Sequence, residues 1–184
     1  PFDVSGASMC DTLNLVKGEC QNDFGEKVII NEALYLVTEP KRNDIVVFKA
    51  PLENEDKYFI KRVIGTPGDI IEIKNGEVYR QEAGSEKLEQ LPEPYLNENN
   101  HNNTHPYHAN FNRLEVPEDH YFLLGDNRLA STDSRSCFQH SISIDCPNNP
   151  DKAFIHQDEI RGKAFVVIWP LQNIRILRSE VELQ

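Results

Sequence analysis

A run of small residues near the start of the chain contains the first candidate for chemistry. Residues 4–13, VSGASMCDTL, place Ser5 and Ser8 on either side of a Gly-Ala pair. Small residues allow a tight backbone turn and the close approach of another chain. A serine in such a turn, with backbone N–H groups directed at the same point, has the geometry of a nucleophile beside an oxyanion site. Ordinary turns near chain ends share this composition, so the segment alone decides nothing.

A lysine inside an apolar strand is the second candidate. In residues 57–69, KYFIKRVIGTPGD, strand alternation puts Phe59, Lys61 and Val63 on one face. If burial desolvates the amine, the pKa of Lys61 falls, and a lysine with a pKa of ~7–8 can serve as a general base. The alternative is a side chain that extends to water, which is the commoner outcome for a lysine between apolar neighbours.

The third candidate is a charged, serine-rich turn at residues 125–135, GDNRLASTDSR. It contains two aspartates, two arginines and two serines. A solvated turn has this composition, and so does the floor of an active site. The turn has a catalytic use only if the fold brings it to a nucleophile elsewhere in the chain.

The elements that must position these residues are predicted to be strands. Asn75-Gly76, between two strand-like runs, predicts a tight hairpin. Residues 28–37 fit either a strand or a helix, and their β-branched ends favour a strand. No long segment has a 3.6-residue period, so we expect a mainly β fold with antiparallel sheets. Five segments are rich in β-branched and aromatic residues between Gly, Pro, Asn or Asp: 44–51, 57–65, 69–80, 120–126 and 162–170.

The length of 184 residues predicts one domain. Residues 1–80 and 114–184 are expected to form its β core. Residues 81–113 are expected to be a polar insertion within the domain, because they are dense in Asn and His and lack periodicity. Residues 138–158 are expected to contain a second loop region.

Three histidines in the insertion, His101, His105 and His108, raise a metal-site hypothesis. A polar loop is the favoured interpretation, because no carboxylate or cysteine lies at ligand spacing. The chain also lacks the CxxC spacing of zinc and thioredoxin-type sites. We therefore expect neither a metal nor a cofactor.

The charge balance excludes some partners. The net charge of −11 disfavours nucleic acid, and it disfavours anionic lipid as a partner through charge alone. The longest apolar run, residues 164–171, is far shorter than the about 20 residues that span a bilayer. The chain begins at Pro1 without a methionine, which suggests a processed or truncated chain.

The four cysteines, Cys10, Cys20, Cys137 and Cys146, allow three full pairings. Cys137 and Cys146 flank a short segment and could form a disulfide in an oxidising compartment. Two free thiols in a loop fit the sequence equally well, so the pairing stays open.

Taken in order, these segments resemble one family, the type I signal peptidases, which are membrane-anchored Ser-Lys endopeptidases. SGASM with the following TL resembles the family's nucleophile box, and RNDIVVFKAP resembles its next strand. YFIKRVIGTPGD closely matches the lysine box, GDNRLASTDSR matches the last box, and GKAFVVIWP resembles the closing strand. The resemblance extends from about Val4 to Pro170, with 81–113 and 138–158 outside it. It implies a coiled, barrel-like β fold with a smaller loop-rich insertion.

The resemblance also implies a role for each matched residue. Ser8 Oγ attacks the scissile carbonyl. Lys61, neutral when active, takes the serine proton and later protonates the leaving amine. Ser131 makes a hydrogen bond that orients the Lys61 amine. The backbone N–H of Ser8 contributes to the oxyanion hole, in the loop that contains Gly6.

Two ion pairs are implied as supports of the site, Asp126 with Arg62 and Asp133 with Arg135. Their use is positioning, because losing one partner of a buried pair is costly while the intact pair is nearly neutral.

The sequence departs from the family pattern at two points. Gly6 stands where a serine or glycine is usual, so no hydroxyl at that position can assist the oxyanion, and Ser5 could do so only if the loop shifts. The proline usual after the nucleophile box is replaced by Cys10 and Asp11. Asp11 could cap the turn, and its charge could raise the pKa of Lys61.

The implied function is the cleavage of N-terminal signal peptides from exported pre-proteins after small residues, through an acyl-enzyme. The implied setting is a monomer with its catalytic domain on the extracytoplasmic side of the cytoplasmic membrane. There it would contact the lipid surface, with a transmembrane anchor preceding Pro1. The alternatives are a conjugation-pilus processing peptidase, a self-cleaving repressor, or an inactive β domain that binds peptides by strand addition.

Six apolar residues could line a membrane-facing or substrate-binding edge, although an ordinary core position is favoured for any one of them. They are Phe2, Leu13, Leu15, Val28, Ile29 and Ile30.

Overall fold

The computed structural model describes residues 1–10, 12–49, 57–139 and 145–179. Asp11, the end of the predicted strand 44–51, and residues 140–144 of the second loop region lie outside the described residues. The described strands are β1 Phe2–Ser5, β2 Leu15–Val16, β3 Glu19–Cys20, β4 Phe24–Asn31, β5 Ile45–Lys49, β6 Tyr58–Gly65, β7 Ile70–Lys74, β8 Glu77–Gln81, β9 Leu88–Gln90, β10 Arg113–Glu115, β11 His120–Leu124, β12 Phe154–His156, β13 Ile160–Trp169 and β14 Arg175–Ile176.

The helical segments in the described part of the chain are all short. One α-helical turn, α1, spans Asp145–Asn148. The 3-10 turns are Ala33–Leu36, Ser134–Ser136, Pro150–Ala153, Gln157–Glu159 and Leu171–Asn173. Among the described residues, no helix is long and apolar enough to cross a membrane.

The strands form three sheets, and all their pairings are antiparallel. The largest has the order β1-β4-β13-β5-β6-β11-β12, with β14 paired to β13. A four-stranded sheet has the order β10-β7-β8-β9, and β2 pairs with β3. The expected mainly β fold with antiparallel sheets is therefore confirmed, and each of the five predicted segments contains strand.

Alternation along β6 follows the predicted faces. Phe59 and Val63 pack into one apolar cluster with Val46 and Phe48 of β5. Ile60 packs on a different cluster, which lies under the start of the chain. From its middle onward β6 is buried on both faces, which leaves a side chain there no path to water.

Residues 28–37 do not form the single strand that we expected. β4 ends at Asn31, and a 3-10 turn follows at Ala33–Leu36. The Asn31 side chain accepts a hydrogen bond from the Leu34 N–H at 3.1 Å, which favours the turn. The strand assignment was thus right only for the first part of the segment.

The predicted hairpin joins β7 to β8. Asn75 and Gly76 both have positive φ, at 55° and 83°, as the turn requires. A methyl group on Gly76 would lie 2.0 Å from the carbonyl oxygen of Asn102. The glycine therefore also allows the insertion to pack directly against the hairpin.

The predicted insertion contributes to the fold. Its two ends supply strand residues to the four-stranded sheet, Leu88–Gln90 and Arg113. Between them, Leu96, Thr104 and Phe111 are buried. Although the segment has a polar composition, part of it therefore packs on the rest of the molecule.

Both cysteine pairs form disulfides. The Cys137–Cys146 bond decides a question that the sequence left open. Cys10–Cys20 joins the loop after Ser8 to strand β3. This second bond therefore links β3 to the residue two positions after the candidate nucleophile.

Candidate active site

Apolar side chains that pack into the core hold the loop that carries Ser8 in place. Met9 and Leu13 are buried in the cluster that includes Val4 and Val28. Gly6 has a φ of +83°, a conformation that residues with a Cβ rarely adopt. The sequence of small residues followed by Met and Leu therefore forms a turn whose apolar side chains point inward.

Polar contacts fix the same loop from both ends. The side-chain amide of Asn14 donates to the carbonyl oxygen of Gly6 at 3.1 Å. The backbone N–H of Asn127 donates to the carbonyl oxygen of Ser8 at 3.0 Å, and its side-chain amide donates to that of Ala7 at 3.0 Å. Asn127 belongs to the charged turn at 125–135, so that turn lies directly against the loop that follows β1 and carries the candidate nucleophile Ser8, which we term the nucleophile loop.

Lys61 reaches this loop from the middle of β6. Its Nζ lies 2.7 Å from Ser8 Oγ and 2.9 Å from the carbonyl oxygen of Ile60. Only 4% of the residue is exposed. The structure thus excludes the alternative in which this lysine extends to water.

Burial sets the protonation of Lys61. Desolvation lowers its pKa from 10.5 to about 8, although the carboxylates of Asp133 and Asp126 act in the opposite direction. A buried ammonium is disfavoured because the low-dielectric interior solvates charge poorly. Above pH 8 the amine is therefore mostly neutral and can accept a proton from Ser8.

The ion pair between Arg62 and Asp126 is present. Nε and Nη2 of Arg62 lie 2.8 and 2.7 Å from the two carboxylate oxygens of Asp126, and both residues are buried. Thr12 Oγ1 also donates to Asp126. The pair joins the strand of Lys61 to the charged turn and to the end of the nucleophile loop.

The ion pair between Asp133 and Arg135 is also present, with N···O distances of 2.9 and 2.8 Å. Asp133 is fully buried, which would raise its pKa, but Arg135 and the N–H of Gly125 hold the pKa below its usual value. The carboxylate is thus ionised and balanced by a guanidinium. Because both residues belong to the turn at 125–135, their ion pair stabilises the conformation of that turn.

Ser131 is brought to the site but does not contact the amine as expected. It is buried, and its side chain helps to lower the pKa of Asp133, whereas the hydrogen bonds of Lys61 Nζ go to Ser8 Oγ and the Ile60 carbonyl oxygen. The hydrogen bond to Lys61 implied by the family resemblance is therefore absent from this structure. The physical reason is that the contacts of Nζ are directed at Ser8 Oγ and the Ile60 carbonyl oxygen.

Gly125 separates Ser131 from the nucleophile loop. A methyl group on Gly125 would lie 2.1 Å from Ser131 Oγ and 2.4 Å from the carbonyl oxygen of Ser8. Sequence reasoning singled out neither Gly125 nor Asn127. The available signal was a Gly followed by short polar residues at the end of a predicted strand, which is typical of close backbone approach.

The six apolar residues near the start of the chain belong mainly to the core. Leu13 and Val28 are fully buried, and Phe2 and Ile30 pack partly buried on the same cluster. The core interpretation is therefore confirmed for Leu13 and Val28.

No group of three or more His, Cys, Asp or Glu side chains is arranged to hold a metal ion within the described part of the chain. His101, His105 and His108 all lie in that part. The site that the fold assembles consists of a serine, a lysine and their supporting charges.

Comparisons with known proteins match these features. A family model described as signal peptidase, peptidase S26, matches residues 1–169. A signal peptidase I of Bacillus amyloliquefaciens is 32% identical over 182 residues, which cover 95% of this chain and 76% of that protein. Signal peptidase I T of Bacillus subtilis strain 168 is 29% identical over 178 residues, which cover 95% of this chain and 76% of that protein. The chain belongs to the signal peptidase family, peptidase S26, and is a serine endopeptidase.

A crystal structure of a signal peptidase I from Enterococcus faecalis V583 aligns with a TM-score of 0.45 and 26% sequence identity. The alignment covers 69% of this chain and 97% of that chain. The family assignment depends on the sequence matches alone, because a score this low carries no inference about the fold.

The contacts of Gly125 predict the effect of adding one methyl group. Gly125→Ala should lower kcat for peptide cleavage at least tenfold, because the new Cβ displaces the Ser8 carbonyl or the Ser131 hydroxyl. Gly84→Ala, in the turn after β8, is the control for adding a methyl group to a glycine away from these contacts: a Cβ there meets no atom within 4 Å, and the backbone strain from its φ of +76° should lower stability without changing kcat. Steady-state kinetics with circular dichroism to verify folding measures both. Equal kcat for the two folded variants would contradict the predicted close approach.

Proposed function

We propose that Ser8 is the nucleophile and Lys61 the general base of a signal peptidase I that cleaves pre-proteins through an acyl-enzyme. The single observation that supports the proposal most is the 2.7 Å contact between Lys61 Nζ and Ser8 Oγ. A nucleophile in hydrogen-bonding distance of a base with a lowered pKa is the arrangement that nucleophilic catalysis requires.

The proposed reaction begins with proton transfer. The neutral amine of Lys61 takes the hydroxyl proton of Ser8 as Oγ attacks the scissile carbonyl carbon. When the tetrahedral intermediate collapses, the C–N bond breaks and the Lys61 ammonium gives its proton to the leaving nitrogen. A water molecule then attacks the acyl carbon with Lys61 again as base, the C–Oγ bond breaks, Lys61 returns the proton to Ser8 Oγ, and the peptide with the new carboxyl terminus leaves.

The proposed oxyanion site uses the backbone of the nucleophile loop. The N–H of Ser8 is the expected donor, because a nucleophile's own amide faces the oxygen of the carbonyl that it attacks. Gly6 supplies no hydroxyl to this site. Ser5 lies in β1 with an exposed side chain, and pairing of β1 to β4 holds it there.

The charged turn has a supporting role in the proposal. Asp126 and Asp133 both raise the pKa of Lys61, and each is bound by an arginine. An unpaired carboxylate near the amine would favour the ammonium and so oppose its use as a base. Arg62 and Arg135 therefore help to keep the base neutral as well as holding the turn in place.

The proposed substrates are pre-proteins with small residues before the cleavage site, because small pockets exclude larger side chains. The relatives named signal peptidase I favour this function over a pilus-processing peptidase or a self-cleaving repressor. The contact of a buried lysine with Ser8 favours an enzyme over an inactive peptide-binding domain. Burying an amine costs free energy, and a domain that only binds peptides does not require a buried amine beside a serine.

Cleavage assays on four variants test the proposed dyad. Purified protein is given a pre-protein in detergent. Ser8→Ala and Lys61→Met should each lower kcat at least about 10³-fold, as loss of a nucleophile or its base does in serine hydrolases. Ser5→Ala and Lys17→Met are matched controls, and both should cleave within twofold of the parent rate. Cleavage by folded Lys61→Met at the parent rate would refute the assignment of Lys61 as the base.

We further propose that one surface of the domain rests on a neutral lipid surface at the extracytoplasmic side of the membrane. Five large apolar side chains are at least half exposed on β13 and on residues 171–176, whose 3-10 turn and β14 both contact β13. They are Phe165, Trp169, Leu171, Ile174 and Ile176. A cluster of this kind is typical of a membrane or protein contact, and aromatic residues favour the membrane interface.

The single tryptophan of the chain, Trp169, reports directly on this surface. Added phosphatidylcholine vesicles should shift its fluorescence to shorter wavelength. Leu171→Ser with Ile176→Ser should weaken vesicle binding at least tenfold, because each buried aliphatic side chain contributes about 1.5–3 kcal/mol. Leu36→Ser, at a side chain exposed elsewhere, should leave binding unchanged. An unshifted spectrum with saturating vesicles would refute the proposed contact.

A further inference from the structure

The charged turn at 125–135 has a second set of contacts, with a segment other than the nucleophile loop. They come from residues 93–107 of the predicted insertion, which we term the brace. The strongest contact is between Glu93 and Arg128, whose guanidinium nitrogens face both carboxylate oxygens. Nη1 of Arg128 also donates to Thr104 Oγ1 at 2.6 Å. The Arg128 side chain is completely buried, and that of Glu93 is 8% exposed.

Further groups of the brace contact the turn and the strand of Lys61. The ring of Tyr95 lies 3.9 Å from the guanidinium carbon of Arg62. The hydroxyl of Tyr107 donates to the carbonyl oxygen of Ser131 at 3.1 Å. The brace thus contacts the backbone of Ser131 and the arginine that binds Asp126.

Arg128 connects the brace to the nucleophile loop. Its Nε donates to the carbonyl oxygen of Gly125 at 3.1 Å. Gly125 lies where an added methyl would collide with Ser8 O and Ser131 Oγ, so its position determines how closely the two segments approach. A shift of the Arg128 guanidinium would therefore move the backbone on which Ser8 rests.

We propose that Glu93 and Arg128 are positioning residues for the Ser8–Lys61 dyad, so that the insertion holds the catalytic turn in place. The inference rests on the function proposed above. Neither residue touches the reacting atoms, and their effect passes through Gly125 and Asn127. Arg128 is buried, and Asp126, the other carboxylate that stabilises its cation, is already bound by Arg62. Without the charge of Glu93 the Arg128 guanidinium would therefore be poorly compensated and would move toward water. Productive geometry tolerates displacements of less than about 1 Å, so such a movement affects the rate of chemistry.

The test compares Glu93→Gln with Glu89→Gln in the full chain. Glu89 of β9 pairs with Lys87, so this control makes the same chemical change in an exposed charge pair of the insertion. Glu93→Gln should lower kcat at least tenfold with KM within twofold, and should speed amide hydrogen exchange at Gly125 and Asn127 at least tenfold. Glu89→Gln should change neither quantity more than twofold.

A milder variant keeps the proposal testable if Glu93→Gln fails to fold. Thr104→Val removes one neutral partner of Arg128 and preserves the ion pair with Glu93. It should lower kcat about threefold or more, with the same faster exchange at Asn127.

Two results would overturn the positioning role of Glu93 and Arg128, and a third would overturn the proposed function. Faster exchange with unchanged kcat in a folded Glu93→Gln or Thr104→Val variant would overturn the positioning role, because the brace would then be merely structural. An effect confined to KM would overturn it too. A parent protein that cleaves no faster than Ser8→Ala would instead overturn the proposed function, and the exchange data would still report whether the brace holds the turn.

Discussion

The contact between the buried amine of Lys61 and the hydroxyl of Ser8 is the interaction on which the rest of the structure depends. Moving an ammonium into a protein interior costs several kcal/mol even after relaxation. The fold meets this cost by letting the amine lose its proton, which lowers the pKa of Lys61 to about 8. The poor solvation of the ammonium in the interior therefore makes the lysine costly to bury, and it also makes the neutral amine available as a base near neutral pH.

The surrounding structure maintains that arrangement. Register pairing of β5 with β6 places Lys61 opposite Val46, where both faces of the sheet are covered. The nucleophile loop lies over this point because Met9 and Leu13 are embedded in the core below it. The charged turn then supplies carboxylates that would favour the ammonium, and each is bound by an arginine. The site thus combines an apolar pocket for one amine with balanced charges around it.

Much of this arrangement could be predicted from the sequence, because it depends on local patterns. The period-2 pattern of residues 57–65 and the Asn75-Gly76 turn correctly predict β6 and the hairpin. Whether Lys61 is buried could not be predicted, since strand alternation is the same for a lysine that reaches water. The answer depends on the loop at Ser8, 53 residues away in the chain.

The insertion shows most clearly where sequence reasoning fails. Its polar, aperiodic composition predicts a surface loop, yet Glu93 and Thr104 bind the fully buried Arg128. Isolated contacts of this kind leave no periodic pattern, because each depends on one side chain meeting a distant partner. The hydrogen bond expected from Ser131 fails for a related reason, since a family resemblance specifies residue types and not their contacts.

A direct titration of Lys61 tests the central claim most sharply. Protein labelled with ¹³C at the lysine ε-carbon is followed by NMR from pH 6 to 11, and the Lys61 signal is assigned by its loss in Lys61→Met. We predict that Lys61 titrates with a pKa of about 8, and that kcat rises as pH increases through the same value. A Lys61 signal that titrates near 10.5, the ordinary value for a lysine, would contradict the account, because the amine would then be a solvated ammonium at neutral pH.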